Sequence, residues 1–137
     1  MTEERFILFS AGGAEFACSL QEISEVMEPQ ESFPIPRAPR HFTGLFNFHG
    51  SLTALVDLGL YLGREGQTAT GKVLVVDTRR AQLALAVDGV SSIITGEAIL
   101  CEEPGEAPLT GALLETESGR VRILSLEALI CELEQGL

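Results

Sequence analysis

The stretch "GLFNFHG" at 44–50 holds the residues best suited to chemistry: an asparagine and a histidine among aromatics and between two glycines. His49 could serve as a general base if a serine and Asp57 joined it, which would make a small hydrolase. It could equally bind a metal with His41. The surrounding pattern supports neither. No GxSxG is present, and no nucleophile sits on a strand-to-helix elbow. The two histidines have no ordered ligand spacing, and Cys18, Cys101 and Cys131 form no CxxC. "AGGAEF" and "TGKVLVV" contain glycines without the phosphate-cradling GxxxxGK[ST], and Lys72 precedes a strand. A second reading fits "HG" better. Histidine tolerates a left-handed backbone and glycine adopts it freely, so His49-Gly50 forms a hairpin tip joining strands at 45–48 and 51–56.

The elements that hold this tip are legible from composition and pattern. The chain has 137 residues, of which 45% are hydrophobic, and a formal net charge of −11 with Lys72 as its single lysine. A chain this long buries about two-thirds of its unfolded surface, so it folds without staples. The charge repels phosphate backbones and anionic membranes, and the nine Lys and Arg residues make no basic, aromatic-studded face. The reading is therefore no nucleic acid and no membrane insertion. No apolar run approaches the ~20 residues of a bilayer span. "MTEERFILFS" lacks the basic start of a signal peptide. Three cysteines, an odd number, fit free thiols in a reducing cytoplasm.

The chain reads as two copies of one unit. "RFILFS" (5–10) aligns with "KVLVVD" (72–77), "FACSLQEISEVM" (16–27) with "LALAVDGVSSII" (83–94) and "FTGL" (42–45) with "LTGA" (109–112), all at an offset of 67. "LVDLGLYL" (55–62) aligns with "ILSLEALI" (123–130) at 68. Alternation of Phe16, Cys18 and Leu20, and of Leu52, Ala54, Val56 and Leu58, predicts half-buried strands. Turns are expected at 11–13, 49–50, 77–80 and 117–119. Asp57 and Ser125 are N-cap residues in matching positions, each opening a short helix, the first ending at Gly63. Connections at 28–42, with four prolines, and at 96–109, which is acidic, run over the surface. Two small barrels with an apolar seam follow, and the seam leaves a groove fit for a partner helix. The apolar pair Ile23 and Val26, with repeat partners Val90 and Ile93, is either core or the lining of that groove.

At these residues the sequence resembles the CheW family of chemotaxis coupling proteins, over nearly its whole length. "FILFSAGGAEFACSLQEISEVM" is similar to the family's opening. "PIPRAPRHFTGLFNFHGSLTALVDL" is similar to its signature, a proline-spaced loop leading to G-x-x-N-x-R-G-x-x-x-P-[VI]-x-D-L. "LALAVDGVSSII" is similar to its VVDxVxxV segment. His49 stands where the family has arginine and Ala54 where it has proline. The resemblance implies a mainly β fold of two intertwined five-stranded SH3-like barrels with short helices, one at the C-terminus. It implies one CheW-like domain over 1–137, with subdomains near 14–70 and near 71–130, the latter joined by strand 5–10. It implies no catalysis and no cofactor. It also implies a cytoplasmic adaptor of two-component signalling. Such an adaptor bridges the cytoplasmic tips of methyl-accepting chemoreceptors to the regulatory domain of the histidine kinase CheA. Carried over by position, Ile23, Glu25 and Val26 lie on partner-facing surface, Gly44, Asn47 and His49 lie near it, and Val87 and Val90 approach the receptor groove from the other barrel. A divergent CheW-like protein that keeps one of the two partners is the alternative.

Overall fold

A computed structural model describes residues 5–63, 71–95, 99–104, 110–116 and 119–135. The strands run β1 (Arg5–Ala11), β2 (Ala14–Ser19), β3 (Ile23–Met27), β4 (Phe42–Phe48), β5 (Ser51–Asp57), β6 (Lys72–Val76), β7 (Leu83–Val87), β8 (Gly89–Thr95), β9 (Ile99–Pro104), β10 (Thr110–Thr116) and β11 (Gly119–Leu124). Two helices, α1 (Leu58–Tyr61) and α2 (Leu126–Gln135), follow β5 and β11. Both start at the expected caps. Asp57 Oδ1 accepts from the Leu60 amide at 3.1 Å, and Ser125 Oγ accepts from the Ala128 amide at 3.3 Å. Gly63, at φ 79°, closes the first helix through a hydrogen bond from its amide to the Leu60 carbonyl. The turn expected at 117–119 lies largely outside the described residues.

The strands form two sheets, ordered β8-β1-β2-β11-β10-β9 and β3-β6-β7-β5-β4. The sequence repeat maps β1 onto β6, β2 onto β7, β3 onto β8, β4 onto β10 and β5 onto β11. Under that mapping the first five strands of one sheet reproduce the other in order. The copies are intertwined because each gives its opening hairpin to the other's sheet. A Leu20–Glu22 3-10 turn carries the chain from β2 in one sheet directly to β3 in the other. The short step at Asp88 does the same between β7 and β8. Strand pairing therefore differs from the expected boundaries at 14–70 and 71–130. Residues 14–19 join 5–11 in one sheet, and 72–87 pair with strands of the first copy.

Two further expectations change. Among the described residues the sheets have six and five strands, against the five each expected, and the two barrel-like sheets are not closed. The sixth strand is β9, inside the acidic connection at 96–109 for which no strand was expected. In the other copy the corresponding place holds only a single antiparallel bridge, Phe33 to Leu45. Pro34 and Pro36 follow it, and proline cannot donate to a ladder.

The central strands are also buried on both faces, not one. Ile7 and Phe9 of β1, Phe16 and Cys18 of β2, Val56, Leu74, Leu85 and Val87 meet in one core between the sheets, with Leu58, Leu126, Leu129 and Leu133 of the helices. On the opposite face of one sheet, Phe46, Phe48, Leu55, Val73 and Val75 make a second core. On the far face of the other sheet, Phe6, Leu8, Ala17 and Val121 make a third. Leu52, expected to point inward, is 62% exposed because β5 leaves the core at its hairpin end. Tyr61 ties the helices together, its hydroxyl donating to Glu132 Oε1 at 3.0 Å.

Candidate partner-binding surface

Strand β3 and the β4–β5 hairpin tip come together across the sheet. Within "EISEVM", Ile23–Met27 is β3, which forms a sheet edge against β6. Alternation along this edge, broken by a register shift between Ile23 and Glu25, sorts its side chains. Ile23 rests on the core between the sheets, whereas Val26 is 42% exposed. The repeat-related edge, β8, does the same: Val90 packs on that core and Ile93 is 54% exposed. In each pair, then, one member packs on the core and the other is exposed.

The hairpin tip is built as its sequence requires. His49 has φ 49° and Gly50 φ 87°, two successive left-handed residues, the geometry that matches the twist of antiparallel strands. Asn47 Oδ1 accepts from the Gly50 amide at 2.7 Å and closes the turn. The His49 ring stands edge-on to Phe48, with centroids 4.3 Å apart. Its Nε2 lies 3.8 Å from Glu25 Oε1, and the two side chains are 74% and 43% exposed. A pair this exposed adds little to stability. It does hold an imidazole and a carboxylate side by side on the surface.

Not every expected residue reaches this surface. Val87 is fully buried in the core between the sheets, so it supports the edge from beneath and offers no contact. Gly44 is buried under the β3–β4 connection: a Cβ there would lie 2.5 Å from the Phe33 carbonyl oxygen and 2.8 Å from Ser32 Oγ. Its glycine answers an internal close approach. Asn47 is exposed, but its side chain is committed to the turn. Sequence reasoning missed Phe33 and Leu52 as exposed apolar residues. The repeat did point to Ile93 as the partner of Val26, and both are exposed.

The remaining chemical candidates are placed elsewhere. Asp57 caps α1, and the carboxylate near His49 is that of Glu25. His41 lies between the Phe42 and Tyr61 rings, at 4.8 and 4.7 Å, and partial burial lowers its pKa. Cys18 is buried, and desolvation, reinforced by the charge of Glu22, pushes its thiol up to about 12, far from a reactive thiolate. Cys131 is exposed on α2, and the side chain of Cys101 lies outside the described residues. Among the described residues no three His, Cys, Asp or Glu side chains gather as a metal site, and no helix is long and apolar enough to cross a membrane.

Comparison with known proteins agrees with this architecture. Residues 5–134 match the CheW-like domain. A probable chemotaxis protein CheW of Rhizobium etli is 26% identical over 140 residues, covering 96% of this chain and 90% of the relative. A chemotaxis protein CheW of Klebsiella aerogenes is 22% identical over 116 residues, 83% of this chain and 68% of the relative. The crystal structure of the scaffolding protein TtCheW from Thermoanaerobacter tengcongensis superposes with a TM-score of 0.79 at 19% identity, covering 90% of each chain.

Proposed function

The chain belongs to the CheW family of chemotaxis scaffolding proteins, and from that membership we propose that it is a non-catalytic cytoplasmic adaptor coupling chemoreceptor tips to the regulatory domain of CheA. The observation that carries the reading is the β3 edge. Val26 stands exposed on this edge, next in sequence to Glu25, whose carboxylate meets His49, and Ile23 anchors the strand to the core. An edge strand with an apolar side chain and a charged neighbour suits a helix or strand laid against it. Val90 and Ile93 present the matching arrangement on β8.

The departure at His49 bears on the second reading. An arginine can hold a carboxylate through two parallel hydrogen bonds, and a histidine cannot. The contact made in this slot is therefore different, and one of the two partners could have been lost with it. Calorimetric titration with a chemoreceptor cytoplasmic fragment and, separately, with a CheA regulatory domain decides the matter. Binding to both supports the adaptor. Binding to one supports the single-partner alternative, and binding to neither overturns both.

A further inference from the structure

The connection between β3 and β4 carries three side chains that the adaptor surface does not use. Phe33 is 74% exposed, the most exposed large apolar side chain among the described residues. It is held in place: its amide donates to the Leu45 carbonyl at 2.7 Å, and its carbonyl accepts from the Leu45 amide at 2.8 Å. Gly44 lets the segment press onto β4. Beyond it, Arg37 and Arg40 are exposed. Arg37 has φ 61°, a left-handed conformation that a long side chain adopts at a cost. Pro34, Pro36 and Pro39 fix the intervening backbone. Hydrogen bonds from the Ala38 amide to the Ile35 carbonyl and from the Phe42 amide to the Pro39 carbonyl close its turns.

The connection is also locally basic. Against 20 Asp and Glu the chain has 9 Lys and Arg, so acids are abundant partners for any cation. Lys72 pairs with Glu28, Arg79 with Asp77 and Arg80 with Glu22. Arg37 and Arg40, like Arg5 and Arg122, make no ion pair among the described residues, but only these two stand together on one short connection. No acid lies between Phe33 and Phe42, and Glu31 reaches neither arginine. Two free guanidiniums and an exposed ring on a stiff loop make a preformed recognition element, which loses little conformational entropy on binding.

We propose that the connection at 33–40 docks an acidic segment of a partner protein, its carboxylates held by Arg37 and Arg40 and one apolar side chain set against Phe33. Guanidinium–carboxylate pairing supplies the specificity, and the ring supplies the desolvated contact. A long polyanion or an anionic membrane would meet the repulsion of the whole chain, at net charge −11, whereas a short acidic segment meets only this loop. A second copy of this chain carries the same net charge and is disfavoured for the same reason. The proposal stands apart from the adaptor reading, because its site and its probe are both different.

Fluorescence anisotropy of the full chain with a labelled Glu/Asp-rich peptide carrying a central Leu-Phe pair tests it, beside a control peptide with lysine in place of the acids. The acidic peptide is expected to bind, with affinity falling at least about tenfold between about 0.05 and about 0.5 M salt. Phe33→Ser, Arg37→Gly (which suits the left-handed backbone) and Arg40→Ser should each weaken binding by about three- to tenfold. Arg79→Ser, at an already paired arginine, should leave it unchanged. Melting curves and receptor-fragment titration of the same variants report an intact fold and an untouched β3 edge. No binding of the acidic peptide, equal binding of the lysine peptide, or an equal loss with Arg79→Ser overturns the proposal. So does self-association in sedimentation that Phe33→Ser abolishes, which would reassign the loop to a second copy. Peptide binding without receptor or kinase binding would sink the adaptor reading and leave this surface standing.

Discussion

Val87 and Val26 are the same residue type on strands of the same sheet, and they meet opposite fates. Val87 ends β7 in the core between the sheets and is fully buried, while Val26 sits 42% exposed on the β3 edge. The difference lies in strand position. β7 has neighbours on both sides and packing on both faces, whereas β3 is paired on one side only. The family pattern treats both as partner-facing. The structure separates a residue buried in the core from one exposed at a sheet edge.

The largest effect should come from charging each valine in turn. Val87→Asp leaves a buried carboxylate without a partner and should unfold the protein, at a cost of several kcal/mol. Val26→Asp should keep its melting temperature within experimental error and lose receptor-fragment binding. Ile23→Asp should fall between them, since Ile23 packs on the core. Equal melting temperatures for Val87→Asp and Val26→Asp would erase the contrast.

Cys18 probes the same core through pH. Burial, with Glu22 adding to it, raises the thiol from 9.0 to about 12 in the folded chain. Above about pH 9 the unfolded chain loses this proton while the folded chain keeps it. Stability is therefore full below about pH 9 and falls between about 9 and about 12, by up to about 4 kcal/mol at about 1.4 per pKa unit. Tyr61 titrates in the same window, raised to about 12 by burial and then by Glu132. Urea midpoints compared between about pH 8 and about pH 11 should drop for the parent and for Tyr61→Phe, and drop less for Cys18→Ala.

Gly44→Ala tests the boundary between platform and surface. The added Cβ meets the Phe33 carbonyl at 2.5 Å, so the 32–33 segment must lift. A loss of about 1–3 kcal/mol in denaturant titration is expected. A neutral outcome would mean that the segment moves freely and that Gly44 serves a contact after all.

The smallest effect belongs to His49. His49→Ala places a Cβ residue in the same left-handed turn position and should cost less than about 1 kcal/mol. Its influence should appear in partner titration instead. His49→Arg, restoring a side chain able to grip Glu25 bidentately, should change affinity without changing the melting temperature. Unchanged affinity for receptor and kinase fragments with both variants would reduce His49 to a turn residue.

Much of this was legible in the sequence. The repeat, with its offsets of 67 and 68, foretold paired elements that the two sheets reproduce strand by strand. The caps at Asp57 and Ser125 and the left-handed pair His49-Gly50 were readable because their physics is local: a side chain reaching its own helix, a backbone angle few residues tolerate. Only the tertiary structure decided which sheet each hairpin entered, since strands of like pattern pair equally well with either copy. It alone decided that β9 forms in one connection while a single bridge forms in the other. It alone sorted Ile23 from Val26, Val90 from Ile93 and Val87 from both edges. Alternation assigns a face, but how deep that face lies depends on which strands and helices are packed against it.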